Sequence, residues 1–259
     1  MKWAIITGAS SGIGRALAFE FAAGNFNLLL TGRKESALNE VAGECAKKYS
    51  VQTEVVVAEL SCVGGIDKLV EAIGSRTHPC QALVNNAGFG IHGDFASTNI
   101  EQNIQLLHVQ LTAALRLTRA VLPGMIQQKS GRILNIASVY SFSPVPFQST
   151  YAACKAFLLS FSSSLQNELT GTGVTVTVFC PGVTQTEFRF RAGIGQKRTD
   201  TGMLPADAAR IAFRETMRGA DLVVPGLANR AFVFVMRLLP LRAASSLARF
   251  INRQRGQSQ

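Results

Sequence analysis

Short, continuous runs of apolar residues recur along the chain, and segments with helical periodicity separate most of them. Such runs are typical of strands that are buried on both faces, so the pattern predicts a parallel sheet with helices on both sides. We expect about seven strands, at Trp3–Thr7, Phe26–Thr31, Val55–Val57, Ala82–Val84, Ile133–Ile136, Val174–Phe179 and Leu222–Val224. No repeat or Pro/Gly/Ser-rich linker interrupts the pattern. The sequence therefore predicts an α/β fold with one doubly wound domain over residues 1–259.

A glycine-rich segment, Thr7-Gly8-Ala9-Ser10-Ser11-Gly12-Ile13-Gly14, lies between the first predicted strand and a helix over residues 15–23. Glycine permits a tight turn and lets backbone N–H groups approach a pyrophosphate, while a helix N-terminus favours an anion. This context predicts a dinucleotide site. The alternative is an ordinary strand-to-helix turn, because glycine-rich turns are common. The candidate contacts are Gly8, Ser10, Ser11, Gly12, Ile13 and Gly14.

The second strand is followed by Arg33, nineteen residues after Gly14, and no carboxylate occurs there before Glu35. An acidic residue at this distance holds the ribose 2′-hydroxyl of NAD, whereas arginine can pair with a 2′-phosphate. The sequence therefore predicts NADP rather than NAD. The alternative for Arg33 is a solvated charge at the start of a helix.

Charge and cysteine content restrict the compartment and the partners. Of the net charge of +10, +8 lies from Glu187 onward, outside the nucleotide-binding part, and we expect no nucleic-acid partner. Five cysteines without a C-x-x-C pair indicate a reduced, cytoplasmic chain. The three histidines share no metal-ligand spacing, so no metal is predicted. We expect neither a signal peptide nor a membrane-spanning helix.

Further motifs follow the glycine-rich segment in a fixed order. They are Asn85-Asn86-Ala87-Gly88 after the fourth strand, Ser138 at the end of the fifth, Tyr151-x3-Lys155, and Pro181-Gly182-x3-Thr186 after the sixth. With these motifs the chain resembles the short-chain dehydrogenase/reductase family over nearly its whole length. The resemblance implies a Rossmann domain and a carbonyl/alcohol oxidoreductase that uses NADP(H).

The resemblance also implies roles for single residues. Tyr151 is the acid/base. Lys155, four positions later on the same helix face, lowers the tyrosine pKa and holds the nicotinamide ribose. Ser138 stabilises the substrate oxygen. The remaining cofactor contacts implied are Asn86, Ala87, Gly88, Pro181, Gly182, Val183, Thr184 and Thr186.

Two positions depart from the family pattern. Glu59, followed by Leu60, replaces the usual aspartate at the end of the third strand, where both residues are expected to contact the adenine. Gln110 replaces an asparagine that in relatives supports a water leading to the catalytic lysine. Its amide is the same on one more methylene, so Gln110 is kept as a catalytic candidate.

Two segments near the carboxyl end are expected to serve the substrate. Residues 187–203 form a candidate lid that contains a basic cluster, including Lys197 and Arg198. This cluster either contacts an anionic substrate or is simply exposed to solvent. Residues 227–259 form a helical extension of apolar residues with basic edges, typical of a membrane interface or of a subunit contact. A homodimer or homotetramer is expected through the helix that carries Gln110 and the helix that carries Tyr151.

The leading interpretation is an NADP(H)-dependent oxidoreductase that interconverts a carbonyl and a secondary alcohol on an apolar, lipid-like small molecule such as a ketoacyl compound or a steroid. Peripheral membrane contact would then come from residues 227–259. The alternative is a non-catalytic NADP-binding protein with a redox-sensing or scaffold role.

Overall fold

A computed structural model describes residues 2–76, 80–194 and 202–257, and side chains up to residue 250. Seven parallel strands form one sheet in the order β3-β2-β1-β4-β5-β6-β7. The strands are β1 Lys2–Thr7, β2 Phe26–Gly32, β3 Thr53–Val57, β4 Ala82–Asn85, β5 Gly131–Ile136, β6 Val174–Phe179 and β7 Leu222–Val223. All seven predicted strands are present, and the predicted fold class is confirmed.

Ten α-helices lie within the described residues: α1 Gly12–Ala23, α2 Glu35–Tyr49, α3 Val63–Gly74, α4 Ile100–Leu107, α5 Ala113–Gln127, α6 Ser149–Glu168, α7 Phe188–Arg191, α8 Pro205–Arg218, α9 Leu227–Leu238 and α10 Leu241–Gln257. Local chemistry sets several of their ends. The Asn99 side chain accepts from two backbone N–H groups at the start of α4. Proline begins α8, and Gly219 ends it with a φ of 74°.

The sheet separates two apolar layers. One layer packs Leu17 and Phe21 of α1 with α2 and α8 against β1 and β2. The other packs α3, α5 and α6 against the opposite face, with Leu117 and Met125 fully buried. Because all strands are parallel, their carboxyl ends meet at one edge. The crevice lies where the strand order reverses between β1 and β4, which is where doubly wound sheets bind ligands.

The helix that carries Gln110 is not regular. A π-helical turn over His108–Thr112 joins α4 to α5. Leu106 and Leu165 lie on the two helices through which a subunit contact is expected, but both are buried in the chain's own core.

The candidate lid is described only in part. Its described residues include the single-turn helix α7 and Met203, whose backbone N–H donates to the Val183 carbonyl. Lys197 and Arg198, the centre of its predicted basic cluster, lie outside the described residues. Across the described parts of the chain, no helix has the length and apolar character needed to cross a bilayer.

Candidate active site

The glycine-rich turn follows β1 directly, and its glycines meet specific backbone requirements. Gly8 and Gly12 have φ angles of 67° and 57°, in the left-handed region that favours glycine. Gly14 has ordinary helical geometry but no space for a side chain, because a Cβ would stand 2.8 Å from the Gly8 carbonyl carbon. Ser10, Ser11 and Ile13 lie in the same turn, and α1 begins at Gly12. The turn therefore presents backbone and a helix N-terminus at the crevice.

Thr7, the last residue of β1, connects this turn to the Asn85–Gly88 segment. Its hydroxyl donates to the Val84 carbonyl at 3.1 Å and accepts from the N–H groups of Asn86 and Ala87, both at 2.9 Å. The Asn86 amide returns a hydrogen bond of 2.8 Å to the Thr7 carbonyl. One buried hydroxyl thus fixes the two loops on either side of the crevice.

A buried polar chain fixes the strands behind these loops. Asn85 donates to Asn135 at 2.8 Å and to Thr118 at 3.3 Å, and Asn135 donates to Ser162 at 2.8 Å. These side chains come from β4, β5, α5 and α6. Hydrogen bonds between buried groups specify one arrangement, because an unpaired partner would lose water without compensation.

The adenosine end of the crevice carries an ion pair. Arg33, just after β2, lies 3.6 Å from Glu59, and its side chain remains 65 % exposed. Leu60 beside them is buried. Both charged candidates are thus placed together, and the exposed guanidinium can reach a phosphate.

Ser138, Tyr151 and Lys155 converge at the carboxyl end of β5. All three are buried, at 8 %, 8 % and 5 % exposure. Tyr151 and Lys155 lie one turn apart on α6, and the lysine Nζ is 5.5 Å from the centre of the tyrosine ring. The Nζ donates to the Ile136 carbonyl at 2.8 Å. Ser138 hydrogen-bonds Tyr151 and accepts from the Tyr140 N–H at 3.2 Å.

Burial dominates the protonation of these groups. Desolvation raises the pKa of Tyr151 well above its usual range, and the hydrogen bond from Ser138 opposes that shift only in part. Desolvation also lowers the pKa of Lys155 to about 8. Burial is thus the largest influence on the tyrosine pKa in the structure, and the expectation that Lys155 lowers this pKa stays a prediction.

Gln110 lies in the π-helical turn and faces the Asn85–Gly88 segment. Its Nε2 donates to the Phe89 carbonyl at 2.8 Å, and its side chain packs within 3.4 Å of where a Cβ of Gly88 would stand. Its Oε1 is buried and has no hydrogen-bond partner among the described residues. Gln110 can therefore accept one more donor.

The loop after β6 closes the site from the other side. The Pro181 carbonyl accepts from the Val139 N–H at 3.1 Å, next to Ser138. Thr184 pairs with Met203 in an isolated bridge, and Thr186 approaches within 3.2 Å of where a Cβ of Gly12 would stand. The loop that contains Pro181, Gly182, Val183, Thr184 and Thr186 therefore lies opposite the glycine-rich turn.

Sequence reasoning missed three neighbours of this site. The Phe188 ring lies 5.4 Å from the Tyr151 ring, and the Tyr140 ring lies 6.4 Å from it. Asn229 of α9 fills the space beside Gly182, where a Cβ would stand 2.8 Å from the Asn229 side-chain carbonyl carbon. Only the position of Phe188 in the predicted lid could have indicated one of them.

The crevice residues fit a dinucleotide. Left-handed glycines and a helix N-terminus face the switch point of the sheet, and the exposed Arg33 guanidinium, paired with Glu59, lies just after β2. The described residues contain no group of three or more His, Cys, Asp or Glu side chains placed to hold a metal ion.

Comparison with known proteins places this arrangement in a family. Residues 2–196 match the family described as short chain dehydrogenase. Sulfoacetaldehyde reductase 2 of Chromohalobacter salexigens is 36 % identical over 220 residues, which cover 81 % of this chain and 86 % of that protein. A very-long-chain 3-oxoacyl-CoA reductase of Aspergillus terreus is 36 % identical over 180 residues, or 68 % of this chain and 50 % of that protein.

A solved structure has the same fold over nearly its whole length. The short-chain dehydrogenase from Sphingobium yanoikuyae in complex with NADPH superposes with a TM-score of 0.82 at 30 % identity. The match covers 93 % of this chain and 97 % of that one.

Proposed function

Because the chain belongs to the short-chain dehydrogenase family, we propose that it is an NADP(H)-dependent oxidoreductase that interconverts a carbonyl and a secondary alcohol on an apolar small molecule. The observation that carries the proposal is the convergence of Ser138, Tyr151 and Lys155 at the carboxyl edge of the sheet. Bound NADPH supplies the hydride. The chain's own residues orient the carbonyl and manage one proton.

Tyr151 gives its proton to the substrate oxygen. Its raised pKa keeps the buried phenol protonated at neutral pH, which is the state required for reduction. Lys155, which is largely charged at neutral pH with a pKa of about 8, stabilises the phenolate left behind. The reverse reaction needs the phenolate as the base that takes the proton from the alcohol, and the raised pKa disfavours that form at neutral pH.

Ser138 holds the substrate oxygen. Its Oγ accepts from the Tyr140 N–H, which orients the hydroxyl, and the hydroxyl proton that is now shared with Tyr151 is the one that a carbonyl oxygen placed beside the phenol would accept. A donor beside the phenol directs the carbonyl oxygen toward Tyr151 and stabilises charge that develops on it.

Gln110 supports the lysine side of the site. Its unpaired Oε1 provides the acceptor for a relay toward Lys155, in place of the shorter asparagine of relatives. The Nε2 bond to Phe89 holds this amide in one orientation.

The cofactor is assigned by the charges after β2. Arg33 receives the 2′-phosphate, and Glu59 beside it accepts from the adenine amine. Gly8 to Gly14 receive the pyrophosphate, Asn86 to Gly88 pass beside the adenine ribose, and Pro181 to Thr186 contact the nicotinamide. The NADPH complex of the Sphingobium relative supports this assignment.

An apolar substrate suits the rings around Tyr151. Tyr140 and Phe188 flank the phenol. Phe147 lies just before α6, the helix that carries Tyr151. The Aspergillus relative is named for a long-chain acyl substrate, whereas the Chromohalobacter relative is named for a small polar one. The ring environment favours the first kind.

A screen of ketones with purified protein tests this proposal. We expect NADPH oxidation with ketoacyl or steroid ketones and a slower rate with short polar aldehydes. A protein that binds NADPH but oxidises it with none of the panel would be the non-catalytic alternative, a redox-sensing or scaffold protein.

The same proposal includes a homodimer or homotetramer built on α4–α5 and α6. Ile100, Ile104, Leu107 and Leu115 are exposed along α4 and α5, and the stacked Phe157 and Phe161 rings lie on α6. Light scattering at micromolar concentration should give twice or four times the chain mass, and a monomer would contradict the contact.

Peripheral membrane contact through residues 227–259 belongs to the proposal too, because an apolar substrate partitions into lipid.

A further inference from the structure

Helix α9 is apolar on two opposite sides. Val233 and Met236 face the protein and are buried. At roughly 100° per residue, Leu227, Phe234 and Leu238 fall within about 40° of one another on the other side. They are 81 %, 64 % and 69 % exposed. Only the first side is explained by the fold.

Val235, 45 % exposed, lies at the border of this exposed side. Together with Leu227, Phe234 and Leu238 we call it the tail face. The four residues are among the sixteen large hydrophobic residues that are exposed within the described part of the chain, and Leu241, 74 % exposed, follows them at the start of α10. Such concentration in one short segment marks an interaction surface.

Arginine is the only charged residue type within the tail segment itself. The sequence after Asp221 contains six arginines and no lysine, aspartate or glutamate. On the helix projection Arg230 and Arg237 lie along one border of the exposed side of α9. Arg242 is exposed at the start of α10. The segment that carries the tail face therefore contributes positive charge only.

We propose that the tail face binds an anionic lipid surface and holds the substrate end of the protein against it. A second copy of the chain fits this surface less well, since a two-fold contact would bring together two patches of the same positive sign, and the tail of neither copy has a carboxylate side chain to pair with the arginines. An anionic bilayer complements both features: it accepts apolar side chains at the headgroup boundary and attracts the arginines around them.

The tail also contacts the substrate end. The Arg249 guanidinium lies 5.7 Å from the centre of the Phe147 ring, which in turn lies 6.1 Å from His92. Phe147 has a φ of 66°, in a region that a bulky residue rarely adopts, so the surrounding structure holds its backbone in this conformation. At the other end of the tail, Asn229 packs against Gly182. The tail segment thus contacts two loops of the candidate active site, the one that precedes α6 and the one that contains Gly182. The delivery of an apolar substrate from bound lipid to that site rests on the proposed function.

Sedimentation with vesicles tests the surface directly. The full chain is mixed with phosphatidylcholine vesicles with or without phosphatidylserine, at low and high salt. We expect binding only to the phosphatidylserine vesicles and mainly at low salt. Each basic residue near the surface is worth about fivefold in partitioning, so R237Q with R242Q should bind about 25-fold less well. Phe234→Ser with Leu238→Ser should also weaken binding.

Matched control variants distinguish binding through the tail face from a general effect of net charge or of exposed apolar residues elsewhere on the protein. Lys47→Gln with Lys48→Gln removes two exposed charges from α2, and Val63→Ser removes a 48 % exposed apolar residue from α3. Both should bind like the wild type. Absence of vesicle binding at low salt, or equal losses in the control variants, would overturn the proposal. A third result would also overturn it: the wild type does not bind vesicles, and the Phe234/Leu238 variant forms a smaller oligomer than the wild type. In that case a second copy of the chain would cover the tail face.

Measurements of ketone reduction distinguish a role in lipid binding from a role in catalysis. All variants should reduce a water-soluble ketone at the wild-type rate. For a long-chain ketone carried in phosphatidylserine vesicles, the Arg237/Arg242 variant should have a higher KM than the wild type and an unchanged kcat. An unchanged KM would overturn the delivery role. If the protein binds vesicles but reduces no ketone, the proposed function is wrong and the lipid-binding surface is supported. If it reduces ketones but does not bind vesicles, only the lipid-binding surface is wrong.

Discussion

Two glycine-to-alanine changes, one at Gly14 and one at Gly43, should have opposite effects. At Gly14 the added Cβ stands 2.8 Å from the Gly8 carbonyl carbon and closer still to its oxygen, where ordinary contact begins at 3.4 Å. Both atoms are backbone, so the turn itself must move by more than half an ångström. Overpacking of this kind typically costs about 1–3 kcal/mol of the free energy of unfolding.

The same movement should weaken NADPH binding, because the backbone groups that meet the pyrophosphate are displaced. Loss of one hydrogen bond to a charged group is worth about 2 kcal/mol, or about 30-fold in Kd. Gly43 is the matched control: it lies inside α2, and its Cβ would meet nothing within 4 Å. Gly43→Ala should raise the free energy of unfolding by about 0.5–1 kcal/mol and leave Kd unchanged.

Denaturant unfolding and NADPH fluorescence titration measure both quantities. If Gly14→Ala bound NADPH like the wild type while Gly43→Ala behaved as expected, the assignment of the pyrophosphate to this turn would be refuted. Equal losses of affinity in the two variants would indicate an indirect effect of helix stability instead.

Three further predictions concern single residues of the site. Arg33→Asp should reverse or abolish the preference for NADPH over NADH in kcat/KM, and a wild type that uses NADH equally well would contradict the 2′-phosphate assignment. Lys155 has a folded pKa of about 8 against 10.5 unfolded, so between these values the unfolded chain binds more protons and stability rises with pH. The free energy of unfolding of the wild type relative to Lys155→Met should therefore rise from pH 8 to 10, by up to about 1.4 kcal/mol per pH unit, and a flat difference would show that the lysine is not desolvated. Gln110→Leu should lower the free energy of unfolding by about 1–3 kcal/mol, because it leaves the partly buried Phe89 carbonyl without its donor; unfolding at the wild-type denaturant midpoint would show that the bond contributes nothing.

The fold could be predicted from the sequence because its strands are continuous apolar runs. Val174–Phe179, for example, is buried on both sides and matches its predicted bounds. The glycine-rich turn was also predictable, since Gly8 and Gly12 occupy positions that require a positive φ. These features depend on local sequence and on one simple packing rule.

The remaining features depend on contacts between distant segments. The π-helical turn at His108–Thr112 contains neither glycine nor proline, so the pattern there reads as an uninterrupted helix. The raised pKa of Tyr151 comes from burial among side chains such as Phe188 of the lid, 37 positions further along the chain, whereas the sequence offered only the charge of Lys155. The Arg33–Glu59 ion pair joins the ends of two strands whose adjacency was not predicted from these residues.

Replacement of Tyr151 by phenylalanine tests the central claim most directly. The variant keeps the ring contacts with Phe188 and Tyr140 and removes only the hydroxyl. We expect NADPH to bind with a Kd close to that of the wild type, while the kcat for ketone reduction falls by a factor on the order of a hundred or more. A Tyr151→Phe protein that retains near-normal turnover would contradict the account, because the proton would then come from another group.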